Sequence, residues 1–270
     1  MEDDEWNYGV GDKVTLIVAR CIGGISMASV ICTALEAVSD WRIEGKSSSI
    51  VTRLQVILQV PLGIHALMVL LGSTMAPTGE GIWLARGNDA TCTAQGFLLA
   101  FSATFGIPLD MCMSLSFLLL IQYGWSETRL RGFESYYYLT VLPFALFVSG
   151  FGLGFDLYGF SYAECFFALP ETCEDDTVEG EKKIDCVPTP DSLVMIRLVA
   201  FLVNIFHMFF SFYVMFQIYR FSRKNLSHEN SEEVALTRKI ALKGFLYASA
   251  IAVLQIPLLC GPPWYYRGQV

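Results

Sequence analysis

The chain has 270 residues, of which 54% are hydrophobic and only 16% are charged, and its formal net charge at pH 7 is -8. About a quarter of the residues of an ordinary soluble domain are charged, so this composition excludes a soluble globular protein and indicates a membrane protein. The negative charge falls mostly on the predicted outer face, and it gives no indication of a nucleic-acid partner.

Six apolar runs follow one another along the chain, and each is long enough to cross a hydrocarbon core that needs about 20 apolar residues. We expect helices, because a lipid-exposed strand would leave backbone groups unpaired. The sequence therefore predicts an all-α polytopic membrane helix bundle over residues 14–260, with the lipid bilayer as its surroundings. The predicted spans are Val14–Val38, Ile50–Gly72, Thr93–Tyr123, Tyr136–Leu157, Ser192–Ile218 and Ile240–Cys260.

The loops between these runs set the orientation. The N-terminus lacks the positive region of a cleavable signal peptide, so the first helix is expected to act as its own insertion signal. Most Lys and Arg residues fall on the inner side if the N-terminus is outside, as the positive-inside rule requires. The sequence thus predicts a plasma-membrane protein with an extracellular tail at residues 1–13, a second outer loop at 158–191 and a third inner loop at 219–239.

Ionisable side chains inside the predicted helices are rare. The third run carries a single formal charge from Ala94 to Tyr123, the carboxyl group of Asp110, while His65 and His207 lie in the second and fifth runs. Intramembrane ionisable groups often belong to proton or ion paths, which makes these three side chains the candidate polar residues of a transporter or channel. The alternative is a structural role, in which each side chain is hydrogen-bonded within the bundle.

Four cysteines are expected on the outer side: Cys92 at the start of the third helix, and Cys165, Cys173 and Cys186 in the second outer loop. An even number of cysteines in an oxidising compartment predicts two disulfides, one from Cys92 to the loop and one within it, and three pairings are possible. A zinc site is a weaker interpretation, because no Cys-x-x-Cys pair or loop histidine accompanies them. The sequence predicts no metal and no cofactor.

Basic residues collect at the inner ends of the third, fifth and sixth predicted helices. They are either membrane anchors or a cytoplasmic docking surface. No enzyme motif such as Gly-x-Ser-x-Gly is present, so we expect no catalytic activity. The basic residues are Arg129, Arg131, Arg220, Arg223, Lys224, Arg238, Lys239 and Lys243.

Several predicted features occur together in this chain: an outer N-terminus, a cysteine that opens the third helix, a cysteine-bearing second outer loop, a basic third inner loop and a proline in the sixth helix. In this combination the chain resembles the G-protein-coupled receptor superfamily. The amino-acid sequence at the end of the third helix, Leu119–Trp125, most resembles that of protist receptor-like proteins related to slime-mould cyclic-AMP receptors. The resemblance implies that Cys92 pairs with a second-loop cysteine, that an unidentified extracellular ligand binds between the helices, and that the basic inner ends face a heterotrimeric G protein.

The sequence also departs from that superfamily. No Asp-Arg-Tyr triplet closes the third helix, the sixth lacks the Cys-Trp-x-Pro form, and a seventh helix with an Asn-Pro-x-x-Tyr motif is missing. The predicted bundle thus resembles a seven-helix receptor without its last helix, and residues 261–270 are either an extracellular tail or a truncated end. A transporter or channel is the competing class, although the helices lack an inverted repeat.

Overall fold

The computed structural model describes residues 10–44, 49–78, 83–161, 164–167, 171–178, 181–188 and 190–225. Within these ranges the chain is mainly helical, and two short antiparallel hairpins lie between the fourth and fifth helices. The helices are α1 Val10–Glu44, α2 Ile50–Leu71, α3 Asp89–Ile121, α4 Glu127–Gly154 and α5 Pro190–Asn225, with a short 3-10 helix at Gly72–Met75 after α2.

Each of the five described α-helices contains a stretch that is long and apolar enough to cross a membrane. These stretches coincide with the first five predicted spans, so the prediction of a helical membrane protein is confirmed. The sixth predicted span, Ile240–Cys260, lies outside the described residues, and a count of six helices stays a prediction. The same holds for the predicted tail at residues 261–270.

Several helices extend beyond the apolar runs that predicted them. Helix α1 begins at Val10 and ends at Glu44, and α5 continues to Asn225, inside the segment predicted as the third inner loop. Hydropathy locates only the part of a helix that lies in hydrocarbon. Charged residues such as Glu, Arg and Lys are good helix formers, so a helix need not end where the apolar run ends.

Contacts within the chain define two compact units, one of residues 1–109 and 135–196, the other of residues 110–134 and 197–270. In the first unit α1 packs on α2. A Cβ atom at Gly23 of α1 would lie 2.6 Å from the backbone nitrogen of Leu70, so the two helices approach closely at this glycine. Small residues at such a crossing let helix backbones come together.

The second outer loop forms two hairpins in the first unit. Strand β1 (Tyr158–Ser161) pairs with β2 (Glu164–Phe167), and β3 (Glu171–Val178) pairs with β4 (Glu181–Pro188). The acidic composition of this loop would by itself predict disorder. Composition describes only the side chains, whereas the hairpins form because backbone N–H and C=O groups of adjacent strands bond to each other.

In the second unit the C-terminal half of α3 packs against α5. Val214, Met215 and Ile218 of α5 are buried and contact Phe117 and Leu118 of α3, among other apolar side chains. These α5 residues follow the spacing of one helix face, which explains why a helix with exposed aromatic residues on its other faces still has a continuous buried side.

Candidate functional site

A buried carboxylate and a buried imidazole meet between α3 and α5 in the second unit. The Oδ2 atom of Asp110 lies 2.7 Å from Nε2 of His207, and the two side chains are only 7% and 4% exposed. Ser211, one turn after His207, lies 3.5 Å from the same oxygen. Residues four apart share a helix face, so α5 directs both polar groups towards Asp110.

The chemistry of the pair follows from its surroundings. A lone charge in a dry interior is costly, whereas a carboxylate and an imidazolium that are in contact compensate each other. The hydrogen bond needs one proton, which Nε2 donates when the carboxylate is ionised. The other ring nitrogen, Nδ1 of His207, is buried and has no hydrogen-bond partner among the described residues. The pair is thus a buried polar contact between α3 and α5.

The third candidate, His65, has a different partner in the first unit. Its Nδ1 lies 3.2 Å from the hydroxyl of Ser102 on α3. That hydroxyl donates to the carbonyl of Leu99 at 2.9 Å, so the ring N–H of His65 is the donor to Ser102. This arrangement fits the structural role of a hydrogen-bonded bundle residue.

A disulfide joins the start of α3 to the second outer loop. Cys92 is bonded to Cys165 in β2, with the two Cα atoms 5.1 Å apart. Both cysteines are buried and pack with Ala76. The resemblance to receptors implied this kind of pairing, whereas the cysteine spacing alone had left three possibilities. The side chains of Cys173 and Cys186 are not described, and a bond between them stays a prediction.

Gln95, which sequence reasoning missed, connects three elements at the same place. Its amide nitrogen donates to the carbonyls of Met68 and Gly72 at the end of α2, at 2.9 and 3.1 Å, and its amide oxygen accepts from the backbone N–H of Cys165 at 3.0 Å. The side chain is fully buried. The available signal was an amide three residues after Cys92 in an otherwise apolar run.

Tyr158 attaches β1, the first strand of the first hairpin, to α4. Its hydroxyl donates to the carbonyl of Ser149 on α4 at 2.8 Å. Its ring occupies the space that side chains would take at Gly96 and Gly152, where an added Cβ would lie 2.6 and 2.5 Å from ring atoms. Burial raises the pKa of Tyr158 to about 12, so the hydroxyl remains a neutral donor. Burial also raises the pKa of Glu164, at the start of β2, to about 7.

Arg20 of α1 is a second residue to which the sequence assigned no role. Its guanidinium donates to the carbonyl of Leu71 at 3.4 Å and to the hydroxyl of Ser73 at 3.2 Å. Ser73 in turn donates to the carbonyl of Trp83 at 2.9 Å. Through these hydrogen bonds the side chain of Arg20 stabilises the C-terminal end of α2.

The basic residues of the predicted inner face fall into three groups: those at the start of α4, those near the end of α5, and those outside the described residues. Arg129 lies 3.9 Å over the ring of Trp125, and Arg131 forms an ion pair of 3.3 Å with Glu127. Arg220 is exposed near the end of α5. Two further residues, Arg223 and Lys224, belong to the last helical turn of α5, while Arg238, Lys239 and Lys243 lie outside the described residues.

No protein-family model matches the chain, and no curated protein is significantly similar to it. The fold and the disulfide define the class of protein on their own: a helical membrane protein in which a disulfide joins the start of α3 to the hairpin that follows α4.

Proposed function

We propose that this protein is a receptor-like member of the G-protein-coupled receptor superfamily, which transmits an extracellular ligand signal through the plasma membrane to a heterotrimeric G protein. The observation that carries the proposal is the disulfide between Cys92 and Cys165. Disulfides form on the oxidising side of a membrane, which supports an extracellular start of α3 and a cytoplasmic turn at Trp125. A third helix that is covalently joined to the second outer loop is what the resemblance implies.

The packing of α3 on α5 supports a route for the signal to the inner face. The polar contact of Asp110 with His207 and the apolar contact of Phe117 with Val214 belong to the same pair of helices. A rearrangement of this helix pair would move the basic end of α5, where Arg220 is exposed. Packed interfaces switch between discrete arrangements, so a small shift can be amplified along them.

A transporter or channel is the second candidate, and the buried pair is the observation that favours it. Asp110 and His207 form a buried polar contact inside predicted membrane spans, and such ionisable groups are common in proton paths. In that function the pair would exchange protons with both sides of the membrane, and the contacts of the outer loop would be structural.

Both candidates can be tested in one cell line that expresses the full chain. A G-protein dissociation reporter measures ligand-independent activity, and a fluorescent pH indicator with whole-cell recording measures flux. We expect dissociation above that of cells without the protein, reduced at least threefold in Arg220→Ala. The matched control is Arg86→Ala, which removes an exposed charge from the segment between α2 and α3 and should leave the signal unchanged.

The opposite result is equally clear. A background G-protein signal together with a proton flux that Asp110→Asn abolishes would replace the receptor with the transporter or channel. Surface expression of every variant, measured with an antibody tag on intact cells, separates lost function from lost protein.

A further inference from the structure

The register of the second hairpin brings two cysteines together. Cys173 of β3 is the direct partner of Cys186 in β4. Directly opposite residues in antiparallel strands have Cα atoms about 4.5–5.5 Å apart. Disulfides usually join residues whose Cα atoms are about 4.4–6.8 Å apart. The backbone therefore offers a suitable position for a cross-link.

The other loop cysteine is already bonded. Cys165 pairs with Cys92, so it does not compete for Cys173 or Cys186. It also lies only a few residues before β3, which places this part of the chain on the oxidising side of the membrane. Other cysteines with described positions, at 21, 32 and 112, lie within the membrane-spanning stretches of α1 and α3.

The hairpin of β3 and β4 needs a further stabilising interaction besides the pairing of its two strands. A two-stranded hairpin is at best marginally stable in water. Within the described residues, β3 and β4 pair along all eight positions of each strand, and a covalent cross-link between them would add to this pairing.

We propose that Cys173 and Cys186 form a second disulfide, which makes the hairpin a covalently closed module independent of the bond between Cys92 and Cys165. The two thiols lose two protons and two electrons as their sulfur atoms join. The acceptor is the disulfide of a thiol oxidoreductase in the secretory compartment, which becomes a dithiol. The proposal depends on the register and the oxidising side, and it holds for a receptor and for a transporter.

Peptide mapping of the full-length protein tests the bond. The protein is purified in detergent, its free thiols are blocked with iodoacetamide under denaturing conditions, and it is cleaved without reduction by trypsin and a glutamate-specific protease. Cleavage after Glu171, Glu174 and Lys183 separates the loop cysteines. We expect the peptide Thr172–Glu174 linked to Ile184–Arg197. Carbamidomethylated Cys173 and Cys186, or either one linked to a different cysteine, would overturn the proposal.

Two variants test the independence of the module. In Cys173→Ser we expect one newly alkylated thiol at Cys186, while the linked peptides that contain Cys92 and Cys165 remain unchanged. The double variant with Cys173→Ser and Cys186→Ser should keep the bond between Cys92 and Cys165, which the same peptide mapping measures. Loss of the bond between Cys92 and Cys165 in these variants would contradict the independence of the two bonds.

Discussion

At the scale of single residues, the contact between Asp110 and His207 shows why removal of one partner should cost more stability than its replacement by an isosteric residue. A buried polar group that loses its partner keeps its full desolvation cost, while an isosteric amide still accepts a hydrogen bond. The hydroxyl of Ser211 also approaches the carboxylate of Asp110, at 3.5 Å. Loss of the carboxylate would therefore affect both of these α5 side chains.

We expect Asp110→Ala to lower the free energy of unfolding by about 3 kcal/mol, because His207 would remain buried without its carboxylate. Asp110→Asn is the matched control and should cost about 1 kcal/mol, since the amide oxygen can accept from Nε2. Unfolding of the purified variants in detergent measures both changes. Equal stability of Asp110→Ala and the unsubstituted protein would show that the contact makes no net contribution.

The carboxyl group of Glu164 gives the outer loop a pH dependence. Burial raises its pKa from 4.5 to about 7 in the folded protein. The folded state therefore binds the proton more tightly than the unfolded state, so the contribution to stability is complete below pH 4.5 and is lost as the pH rises to 7.

We expect Glu164→Gln to remove this pH dependence. The stability of the unsubstituted protein should fall, relative to that of the variant, by at most about 3 kcal/mol between pH 4.5 and 7. Thermal unfolding of both proteins across this interval provides the measurement, and the difference between the two curves removes the titration of other groups. Parallel curves would mean that Glu164 titrates normally in the folded protein.

At the scale of elements, the crossing of α1 and α2 depends on one glycine of an adjacent pair. A Cβ at Gly23 would lie 2.6 Å from the backbone nitrogen of Leu70, whereas a Cβ at Gly24 would lie 3.7 Å from a methyl group of the same residue. Backbone cannot move aside as a flexible side chain can, so only the first position requires the helices to separate.

Gly23→Ala should lower the unfolding free energy by about 2 kcal/mol, because the added methyl group forces α1 away from α2. Gly24→Ala is a neighbouring control with the same change in helix propensity, which favours Ala by about 1 kcal/mol. It should be neutral or slightly stabilising. The thermal unfolding temperatures of the two variants decide the question, and equal values would contradict the close approach at Gly23.

The elements also show which features the sequence can reveal. Apolar runs predict the membrane-spanning part of each helix, because lipid imposes one length and one hydrogen-bonding pattern on all of them. Helix ends beyond the membrane, such as Val10 and Asn225, follow from local propensity and packing. The second outer loop illustrates the same limit, since its composition predicts disorder but its backbone pairs as two hairpins.

The candidate site was only partly predictable for a related reason. Asp110 and His207 could be recognised singly as ionisable groups in apolar helices, but 97 positions separate them in sequence, so their contact depends on how α3 packs on α5. Gln95 and Arg20 were missed because their roles come from backbone carbonyls of α2. A carbonyl acceptor has no signature in the sequence.

At the scale of the whole molecule, the bond between Cys92 and Cys165 spans 73 positions and joins the outer loop to the helices. A cross-link over such a distance restricts the unfolded chain strongly, by about 4 kcal/mol in the chain-entropy account. The bond also holds β2 where its backbone can reach Gln95. It therefore influences both the unfolded ensemble and the folded outer end.

We expect the double variant Cys92→Ala and Cys165→Ala to lose about 4 kcal/mol of stability. The matched control is Cys21→Ala, which removes an exposed free cysteine from α1 and should change stability by less than about 0.5 kcal/mol. Unfolding with and without reductant completes the experiment, since only the unsubstituted protein and the control should respond to reduction of this bond. A reductant effect that survives in the double variant would show that another disulfide carries the stabilisation.

The end of α2 also determines how the protein can adapt to its membrane. With 22 residues α2 is the shortest of the described α-helices and is about 33 Å long. Its last carbonyls accept hydrogen bonds from Arg20 and Gln95, so its outer end is fastened to its neighbours. Unwinding of this end in response to a change in bilayer thickness would break these hydrogen bonds, so we expect α2 to respond by tilting instead. Hydrophobic mismatch would then be transmitted to the disulfide-bonded loop through Gln95.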